Sequence, residues 1–117
     1  MKKIEVIDLF CGAGGLSFGL KKAEIDVIAG IDIDKACEYP YQANNKSRFI
    51  NKSVTELAGS ELKSMYSPNS IKILAGCAPC QPFSTYSQGP RGKDDAQWSL
   101  LEQFSRLVAE TGPDIVT

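Results

Sequence analysis

Two cysteines separated by two residues, Cys77 and Cys80, are the side chains in this sequence best suited to covalent chemistry. They follow an apolar run, residues 71–75, that predicts a buried strand. An open α/β sheet places its chemistry at the carboxyl ends of its strands. Pro79 restricts the backbone just before Cys80, and an activated thiolate is a strong nucleophile. We therefore predict that Cys80 is a nucleophile.

The same pair of cysteines admits other interpretations. A thioredoxin-like redox pair has this spacing, but that motif normally opens a helix, which Pro79 and Pro82 disfavour. Half of a zinc site would need a second pair of ligands, whereas Cys11 and Cys37 stand alone and the chain has no histidine. Cysteine also serves as a small buried residue. We predict that role for Cys77, Cys11 and Cys37, and we predict no metal site.

A second site is predicted at a glycine-rich turn, residues 12–15, directly after the first predicted strand. Glycines let the backbone approach a ligand, and the N–H groups of a following helix can face it. The turn is not the G-x-G-x-x-G of dinucleotide enzymes, because Ser17 stands at the third glycine position. About 20 residues further on, Asp32 ends the second predicted strand, where a carboxylate can accept both ribose hydroxyls. Together these features predict a nucleoside-cofactor site.

A purely structural interpretation of the same residues also stands. The glycines would pack a helix tightly against a strand, and Asp32 and Asp34 would cap the next helix. Asp34 immediately precedes Lys35 and is expected to be an N-cap. Asp8 is a candidate support for the glycine loop.

Composition limits the class of protein. A chain of 117 residues with 43% apolar and 23% charged side chains fits one globular domain. A protein that binds nucleic acid by itself is usually strongly basic, whereas this chain has a formal net charge of −1. If the partner is nucleic acid, most of the binding energy must come from groups outside this chain. The lack of histidine excludes His-dependent triads within the chain. Acidic residues interrupt any signal-peptide core and no apolar run is long enough to span a membrane, so we expect a cytoplasmic protein with free thiols.

Strands and helices are predicted to alternate. The predicted strands cover residues 4–10, 27–31, 48–50, 71–75 and 114–117. The predicted helices cover residues 16–23, 35–44, 56–65 and 98–110, with Pro40 limiting the second helix. Core contacts are predicted for residues 57, 62 and 65 of the third helix and 100, 101, 104, 107 and 108 of the last. This alternation predicts an α/β fold with a mostly parallel sheet, flanking helices and a chain that ends at the start of a fifth strand.

Two motifs resemble those of a known family. Residues 8–15, Asp-Leu-Phe-Cys-Gly-Ala-Gly-Gly, are similar to the first motif of the cytosine-C5 DNA methyltransferases. Residues 76–84 contain Pro-Cys-Gln at 79–81 and Phe-Ser at 83–84, and they are similar to the catalytic motif of that family. Asp32 lies between the two motifs at a fitting spacing. The resemblance covers essentially the whole chain. It implies a Rossmann-like fold that binds S-adenosylmethionine and methylates C5 of a cytosine flipped out of double-stranded DNA.

The resemblance also implies a role for each matched residue. Cys80 would add to C6 of the flipped cytosine, and Pro79 and Gln81 would shape its loop. The residues implied to bind the cofactor are Phe10, Gly12, Ala13, Gly14, Gly15, Asp32, Ile33 and Val54. Among them, Asp32 would hold the ribose and Ile33 would lie against the adenine. Ser84, Arg91 and Lys93 would belong to a mobile loop that closes over DNA.

The sequence departs from the family pattern in two respects. Ser53 stands where an acidic residue near the adenine amino group is expected. The Glu-Asn-Val and Arg-x-Arg motifs, the target-recognition region and the final helix are absent from the sequence. We therefore expect residues 1–117 to be the N-terminal part of a catalytic domain with little activity alone. Its expected partners are DNA and the missing C-terminal part, in cis or as a complementary subunit, and no membrane.

Three rival functions remain open on the sequence. An RNA cytosine-C5 methyltransferase would share the same motifs, because the region that reads the substrate lies outside them. A thiol–disulfide oxidoreductase would use Cys77 and Cys80, and replacing Cys77 by serine would separate that function from methyl transfer. A non-catalytic cofactor-binding or assembly module would leave the chemistry to a partner.

Overall fold

Five parallel strands form one sheet in the order β3-β2-β1-β4-β5. The computed structural model describes residues 2–78 and 95–117, with side chains of the second segment from residue 99. The strands are β1 (Ile4–Leu9), β2 (Asp26–Asp32), β3 (Arg48–Asn51), β4 (Ile71–Gly76) and β5 (Ile115–Val116). The helices are α1 (Gly15–Lys22), α2 (Glu38–Asn45), α3 (Gly59–Met65) and α4 (Asp95–Thr111). Short 3-10 turns span Lys35–Cys37 and Val54–Glu56. The predicted parallel α/β sheet with flanking helices is confirmed.

The strand order places a topological switch point at β1. From β1 the chain runs outward through β2 and β3, and then returns to the other side of β1 with β4 and β5. In such sheets, ligands bind at the carboxyl ends of the strands beside the switch point. The glycine turn follows β1, and Cys77 follows β4. The topology therefore brings the glycine turn and the first residues of the second motif, Gly76 and Cys77, to the same end of the sheet.

Helices cover both faces of the sheet. On one face, Ile7 of β1 belongs to a core cluster with Leu62 of α3 and Leu107 of α4, and all three side chains are fully buried. On the other face, Val6 packs in a smaller cluster beside Leu20 of α1. Adjacent residues of β1 thus serve opposite faces, as the pleat of a strand requires. None of the helices in residues 2–78 and 95–117 is both long and apolar enough to cross a membrane.

Two helices begin three residues later in the structure than predicted. The third begins at Gly59 rather than at residue 56, because Leu57 and Ala58 are extended and Glu61 turns back to accept a bond from the Ala58 N–H at 3.1 Å. The second predicted helix is divided into a 3-10 turn, Lys35–Cys37, and α2, which begins at Glu38. Pro40 then lies in the first turn of α2, where its lack of an N–H costs no intrahelical hydrogen bond. The predicted core contacts at residues 57, 62 and 65 are confirmed.

The last helix lies on the sheet through Leu100, Phe104, Leu107 and Val108, as predicted. The same prediction was wrong for Leu101, which is 38% exposed. Leu101 lies one residue beyond Leu100, so the helical turn of about 100° carries it off the buried face.

A chain of buried hydrogen bonds joins β1, β2, α1 and α2. Asp8 Oδ2 accepts from Ser17 Oγ at 2.7 Å, and Ser17 Oγ lies 3.0 Å from Tyr41 Oη. Tyr41 Oη lies 3.3 Å from Ser47 Oγ, which donates to the Val27 carbonyl at 2.9 Å. Asp8 therefore supports the helix that follows the glycine turn, in agreement with the sequence analysis.

The Tyr41 ring fills the space left by two glycines. A Cβ at Gly14 would lie 2.6 Å from Tyr41 Cδ2, and a Cβ at Gly30 would lie 2.6 Å from Tyr41 Cε2. Real Cβ atoms do not approach other atoms so closely, so neither position can carry a side chain without displacing the ring. The ring fixes the glycine turn against β2.

Burial also changes the pKa of Asp8, the acid at the end of this chain of hydrogen bonds. Asp8 is 1% exposed. Burial raises its pKa from 3.8 to about 6; hydrogen bonds from Ser17 oppose the rise, and the negative charge of Asp32 adds to it.

Replacing Gly30 by alanine should destabilise the protein by about 1–3 kcal/mol, because the new methyl group overlaps the buried Tyr41 ring. Urea unfolding measures the loss. Gly19→Ala is the matched control, since Gly19 is exposed on α1 and a Cβ there meets no atom within 4 Å. That control should be neutral or stabilising by up to about 1 kcal/mol. Equal free energies of unfolding for the two variants would contradict the packing described.

Asp8→Asn should flatten part of the pH dependence of stability. The folded-state pKa lies above 3.8, so the folded protein binds more protons than the unfolded chain between pH 4 and 6, and stability falls as pH rises through that window. Relative to Asp8→Asn, the free energy of unfolding of the unmodified protein should fall by about 1–2 kcal/mol between pH 5 and 7.5. Urea unfolding at several pH values measures it, and parallel stability curves would show that Asp8 titrates normally.

Candidate cofactor-binding site

A cleft of about 360 Å³ opens at the carboxyl ends of the strands beside the switch point. It is lined by Phe10, Ile31, Asp32, Ile33, Lys52, Ser53, Val54, Cys77 and Leu100. These residues come from the ends of β1, β2, β3 and β4 and from α4. Four residues that the sequence analysis assigned to a cofactor, Phe10, Asp32, Ile33 and Val54, therefore line one cleft.

The Asp32 carboxylate is held by the backbone of two turns. Its Oδ2 accepts from the Gly12 N–H at 2.9 Å, and its Oδ1 accepts from the Asp34 N–H at 2.8 Å. Each carboxylate oxygen can accept two hydrogen bonds. Each therefore keeps capacity for one more donor, which is what a pair of ribose hydroxyls requires. Asp34 itself caps the following 3-10 turn through the Ala36 N–H, as expected.

The glycine turn is open on its outer side. A Cβ at Gly12 or at Gly15 would meet no atom within 4 Å. Gly12 and Gly14 adopt left-handed backbone conformations, with φ of 54° and 93°, and only glycine adopts these without cost. The turn is therefore a shallow cradle whose missing side chains leave room for a ligand.

The predicted glycine residues do not all share one surface. Gly12 is linked to the cleft through its bond to Asp32. Ala13, Gly14 and Gly15 instead line a second, adjacent cleft of about 360 Å³, together with Phe18 and Asn44. The glycine turn therefore separates two openings, and an elongated ligand bound at Asp32 would reach the second by passing over Gly12.

Helix α1 begins at this turn without a side-chain cap. Gly14 is the N-cap residue, and the first turn of α1 contains no acidic side chain. The first N–H groups of a helix lack intrahelical acceptors, and the helix dipole favours an anion there. The uncapped N-terminus of α1 thus lies in the wall of the second cleft, where Gly14 and Gly15 are lining residues.

Phe10 has an unusual backbone for its residue type. Its φ of 55° lies in the left-handed region, which bulky residues rarely adopt and which costs on the order of 1 kcal/mol or more. This conformation accompanies the exit of the chain from β1 into the glycine turn, with Phe10 in the cleft wall. The sequence carries no signal for it, because the residue type argues against it.

The wall after β3 is supported by α4. Arg106 donates to the Val54 carbonyl at 3.0 Å and to the Leu57 carbonyl at 2.9 Å. Its Nη1 also pairs with Glu110 at 3.0 Å, and Glu110 accepts from the Gly59 N–H at 2.9 Å. Arg106 thus holds the segment that presents Val54 to the cleft. The sequence analysis missed it, since its partners lie about fifty positions away.

Ser53, which stands where the resemblance implied an acidic residue, also lines the cleft. Its Oγ accepts from the Thr55 N–H at 3.2 Å and lies 2.8 Å from Thr55 Oγ1. Beside it, Lys52 Nζ lies 3.1 Å from Glu61 Oε2. The polar groups on this wall are therefore a hydroxyl and a paired ammonium.

The prediction that Cys77 is a buried packing residue was wrong, because Cys77 is exposed and lines the cleft. The buried core reaches as far as Gly76, where the Phe104 ring packs so closely that a Gly76 Cβ would lie 2.7 Å from it. The strand pairing of β4 with β1 also stops at Gly76. Cys77 lies beyond the last paired residue of β4, and the described part of the chain leaves it exposed.

The packing roles predicted for Cys11 and Cys37 are confirmed. Cys11 is buried with Tyr41 and Phe49, and the half-buried Cys37 packs against them. Burial raises the pKa of Cys11 to about 12, and the nearby charges of two aspartates add to the rise. Cys11 is therefore a thiol at neutral pH and no nucleophile.

The residues with predicted catalytic or DNA-contacting roles lie outside the described residues. They are Pro79, Cys80, Gln81, Ser84, Arg91 and Lys93. Their roles stay predictions. Within residues 2–78 and 95–117, no three His, Cys, Asp or Glu side chains cluster in a way that could hold a metal ion.

Comparison with known sequences gives a consistent result. The family model described as C-5 cytosine-specific DNA methylase matches residues 4–117. The type II methylase M.HgiDII of Herpetosiphon aurantiacus is 51% identical over 112 residues, covering 96% of this chain and 31% of its own length. The type II methyltransferase M.XorII of Xanthomonas oryzae pv. oryzae is 39% identical over 110 residues, covering 92% and 26%. The chain thus spans about a third or less of these curated relatives.

Solved structures agree. A protein assigned as a DNA modification methyltransferase from an Escherichia coli prophage superposes with a TM-score of 0.76 at 32% identity, over 95% of this chain and 30% of that one. The S. pombe Dnmt2 methyltransferase superposes with a TM-score of 0.67 at 18% identity, over 97% and 33%, and shows the fold alone. The sheet is therefore the Rossmann-like sheet of the methyltransferases, and the chain belongs to the C-5 cytosine-specific DNA methylase family.

Proposed function

We propose that this chain binds S-adenosylmethionine and takes part in methylating C5 of cytosine in DNA. The observation that carries the proposal is the Asp32 carboxylate, held at 2.9 Å by Gly12 and at 2.8 Å by Asp34 at the rim of the cleft. It stands beside a glycine turn on which a Cβ at Gly12 or Gly15 would meet only open space. A nucleoside with an amino-acid tail matches both features.

The chain's own residues would divide the cofactor between the two openings. Asp32 would accept the ribose hydroxyls with its free acceptor capacity, while Ile33 and Val54 would lie against the adenine. Phe10 would contact the middle of the cofactor. The glycine turn, Gly12 to Gly15, would leave room for the methionine part, and the N-terminus of α1 would favour its carboxylate.

Cys80 would be the nucleophile of the reaction. Its thiolate would add to C6 of a cytosine flipped out of the duplex, and the electron pair of the C5–C6 bond would become available at C5. S-adenosylmethionine supplies the methyl group that C5 takes. Loss of the C5 proton and elimination of the Cys80 thiolate would then restore the ring. Pro79 and Gln81 would hold the loop that carries Cys80.

The proposed substrate is double-stranded DNA, because both curated relatives above are type II methylases and the matching family model is a DNA methylase. The net charge of −1 supplies little general attraction to phosphate. Ser84, Arg91 and Lys93 would contact DNA in a closing loop. Since this chain covers only 31% and 26% of these two relatives, we propose that residues 1–117 act as the N-terminal part of a catalytic domain. A C-terminal part, in cis or as a second subunit, would read the sequence.

Gly15→Ala should weaken binding of S-adenosylmethionine by about tenfold or more, equivalent to about 1.4 kcal/mol, because the new methyl group would occupy the cofactor's space. The free energy of unfolding should not fall, since the Cβ meets no protein atom and alanine favours a helix. Gly19→Ala, with an equally open position on the same helix, should keep its affinity. Titration calorimetry measures both, and equal affinities would place the cofactor elsewhere.

Covalent trapping tests the role of Cys80. The chain is mixed with S-adenosylmethionine, a duplex containing 5-fluorocytosine and the separately expressed C-terminal part of M.HgiDII. Fluorine at C5 prevents the final proton loss, so an adduct resistant to denaturing electrophoresis should accumulate. Cys80→Ser should abolish the adduct, and Cys77→Ser should keep it. An adduct that survives in Cys80→Ser, or one that requires Cys77, would contradict the mechanism. The requirement for Cys77 would favour thiol–disulfide chemistry instead.

A further inference from the structure

We propose that Asp8 makes this site selective for a positively charged sulfur. When ionised, its buried carboxylate favours the sulfonium cofactor S-adenosylmethionine over the product S-adenosylhomocysteine, whose sulfur is uncharged. This inference rests on the proposed function. Asp8 touches neither ligand in the proposed arrangement and acts through its field. It is therefore a selectivity residue and not a catalytic one.

Asp8 lies near the carboxyl end of β1, which leads into the glycine turn. Asp8 lies on the central strand, with Gly30 of β2 and Ala75 of β4 as its register partners. Its carboxylate accepts from the Ser17 hydroxyl, 2.7 Å away, in the first turns of α1. Phe10, two residues further along the chain, lines the cleft. Because Asp8 is bonded to the first turn of α1 and its charge interacts with that of Asp32, a ligand group held between Asp32 and the N-terminus of α1 would lie near this carboxylate.

No cation in the described part of the chain neutralises Asp8. The ion pairs found among residues 2–78 and 99–117 do not include it. The titratable groups that face it are Asp32 on β2, Cys11 in the turn and Tyr41 on α2, and none of them carries a positive charge. On α1, the Lys21 ammonium is bound to the Asn45 carbonyl. A cation entering the cleft would therefore meet a charge that no described residue neutralises.

The hydrogen-bond chain accommodates two protonation states of Asp8. When Asp8 is neutral, protons can run in one direction, from Asp8 to Ser17, Tyr41 and Ser47 and on to the Val27 carbonyl. When Asp8 is ionised, Ser17 must donate to it, and the single Tyr41 proton can go either to Ser17 or to Ser47. Because Ser47 donates to the Val27 carbonyl, one of the two contacts of the Tyr41 hydroxyl then has no proton.

Both states are therefore hydrogen-bonded at Asp8, and they differ by one buried charge. The raised pKa of Asp8, about 6, places the change between them within an experimentally accessible range. A bound cation favours the ionised state and should release a proton near that pH. By linkage, ionisation of Asp8 should strengthen binding of the cation by the same factor.

The two ligands form a matched pair for this test. S-adenosylmethionine and S-adenosylhomocysteine share the adenosine and amino-acid parts, and they differ by one methyl group and one positive charge at sulfur. The ratio of their dissociation constants therefore cancels pH effects on the shared contacts and on protein stability. A pair of unit charges about 10 Å apart in a protein environment changes affinity by roughly three- to fifteenfold.

Titration calorimetry with the protein at low salt should show the effect. The ratio of the dissociation constant of S-adenosylhomocysteine to that of S-adenosylmethionine should rise about three- to tenfold between pH 5 and 7.5. It should stay constant in Asp8→Asn. At pH 6, buffers of different ionisation enthalpy should reveal proton release on binding S-adenosylmethionine, absent in Asp8→Asn. Ser17→Ala removes a hydrogen bond to the carboxylate, so the rise should move to higher pH.

The possible outcomes separate this inference from the proposed function. If both ligands bind and the ratio is flat in the unmodified protein, the role of Asp8 is overturned and the cofactor site stands. If the ratio rises equally in Asp8→Asn, another group is responsible and the role of Asp8 is again overturned. If neither ligand binds at any pH, the proposed function fails and this inference with it. Should Asp8→Asn not fold, an unshifted midpoint in Ser17→Ala overturns the inference.

Discussion

The packing of one aromatic ring against two glycines sets the geometry on which the site depends. Tyr41 is fully buried, and its ring occupies the positions that side chains at Gly14 and Gly30 would need. Its hydroxyl joins the hydrogen-bond chain that ends at Asp8. This contact ties α2 to the turn after β1 and to β2. In the same turn, the Gly12 N–H donates to the Asp32 carboxylate at 2.9 Å.

The parallel sheet then determines where ligands can bind. Its order reverses at β1, so the segments after β1, β2, β3 and β4 surround a common space. Apolar groups from α4 and the strand ends form the walls, and polar groups stand at the rim. The glycine turn lies between this cleft and a second one at the N-terminus of α1. A ligand with a nucleoside and a charged tail can use both, which a compact ligand cannot.

Much of this arrangement was predictable from the sequence, and the misses have identifiable causes. Strand positions, the glycine turn and the placement of Asp32 follow from local residue types, and the structure agrees with them. The burial of Cys77 was predicted wrongly, because the exposure of a residue at a strand end depends on which distant groups cover it. Here the Phe104 ring packs against Gly76, and Cys77 is exposed. The role of Arg106 was missed because its acceptors are distant in sequence.

The sequence by itself determined the alternation of strands and helices, the family and the residue types available for chemistry. These are properties of neighbouring residues, which carry backbone preference, hydrophobic period and motif spacing. Only the tertiary structure decided that Gly14 faces Tyr41 while Gly12 and Gly15 face open space, and that Asp8 is buried with its pKa near 6. The physical reason is that burial, steric contact and desolvation are set by groups brought together from distant parts of the chain.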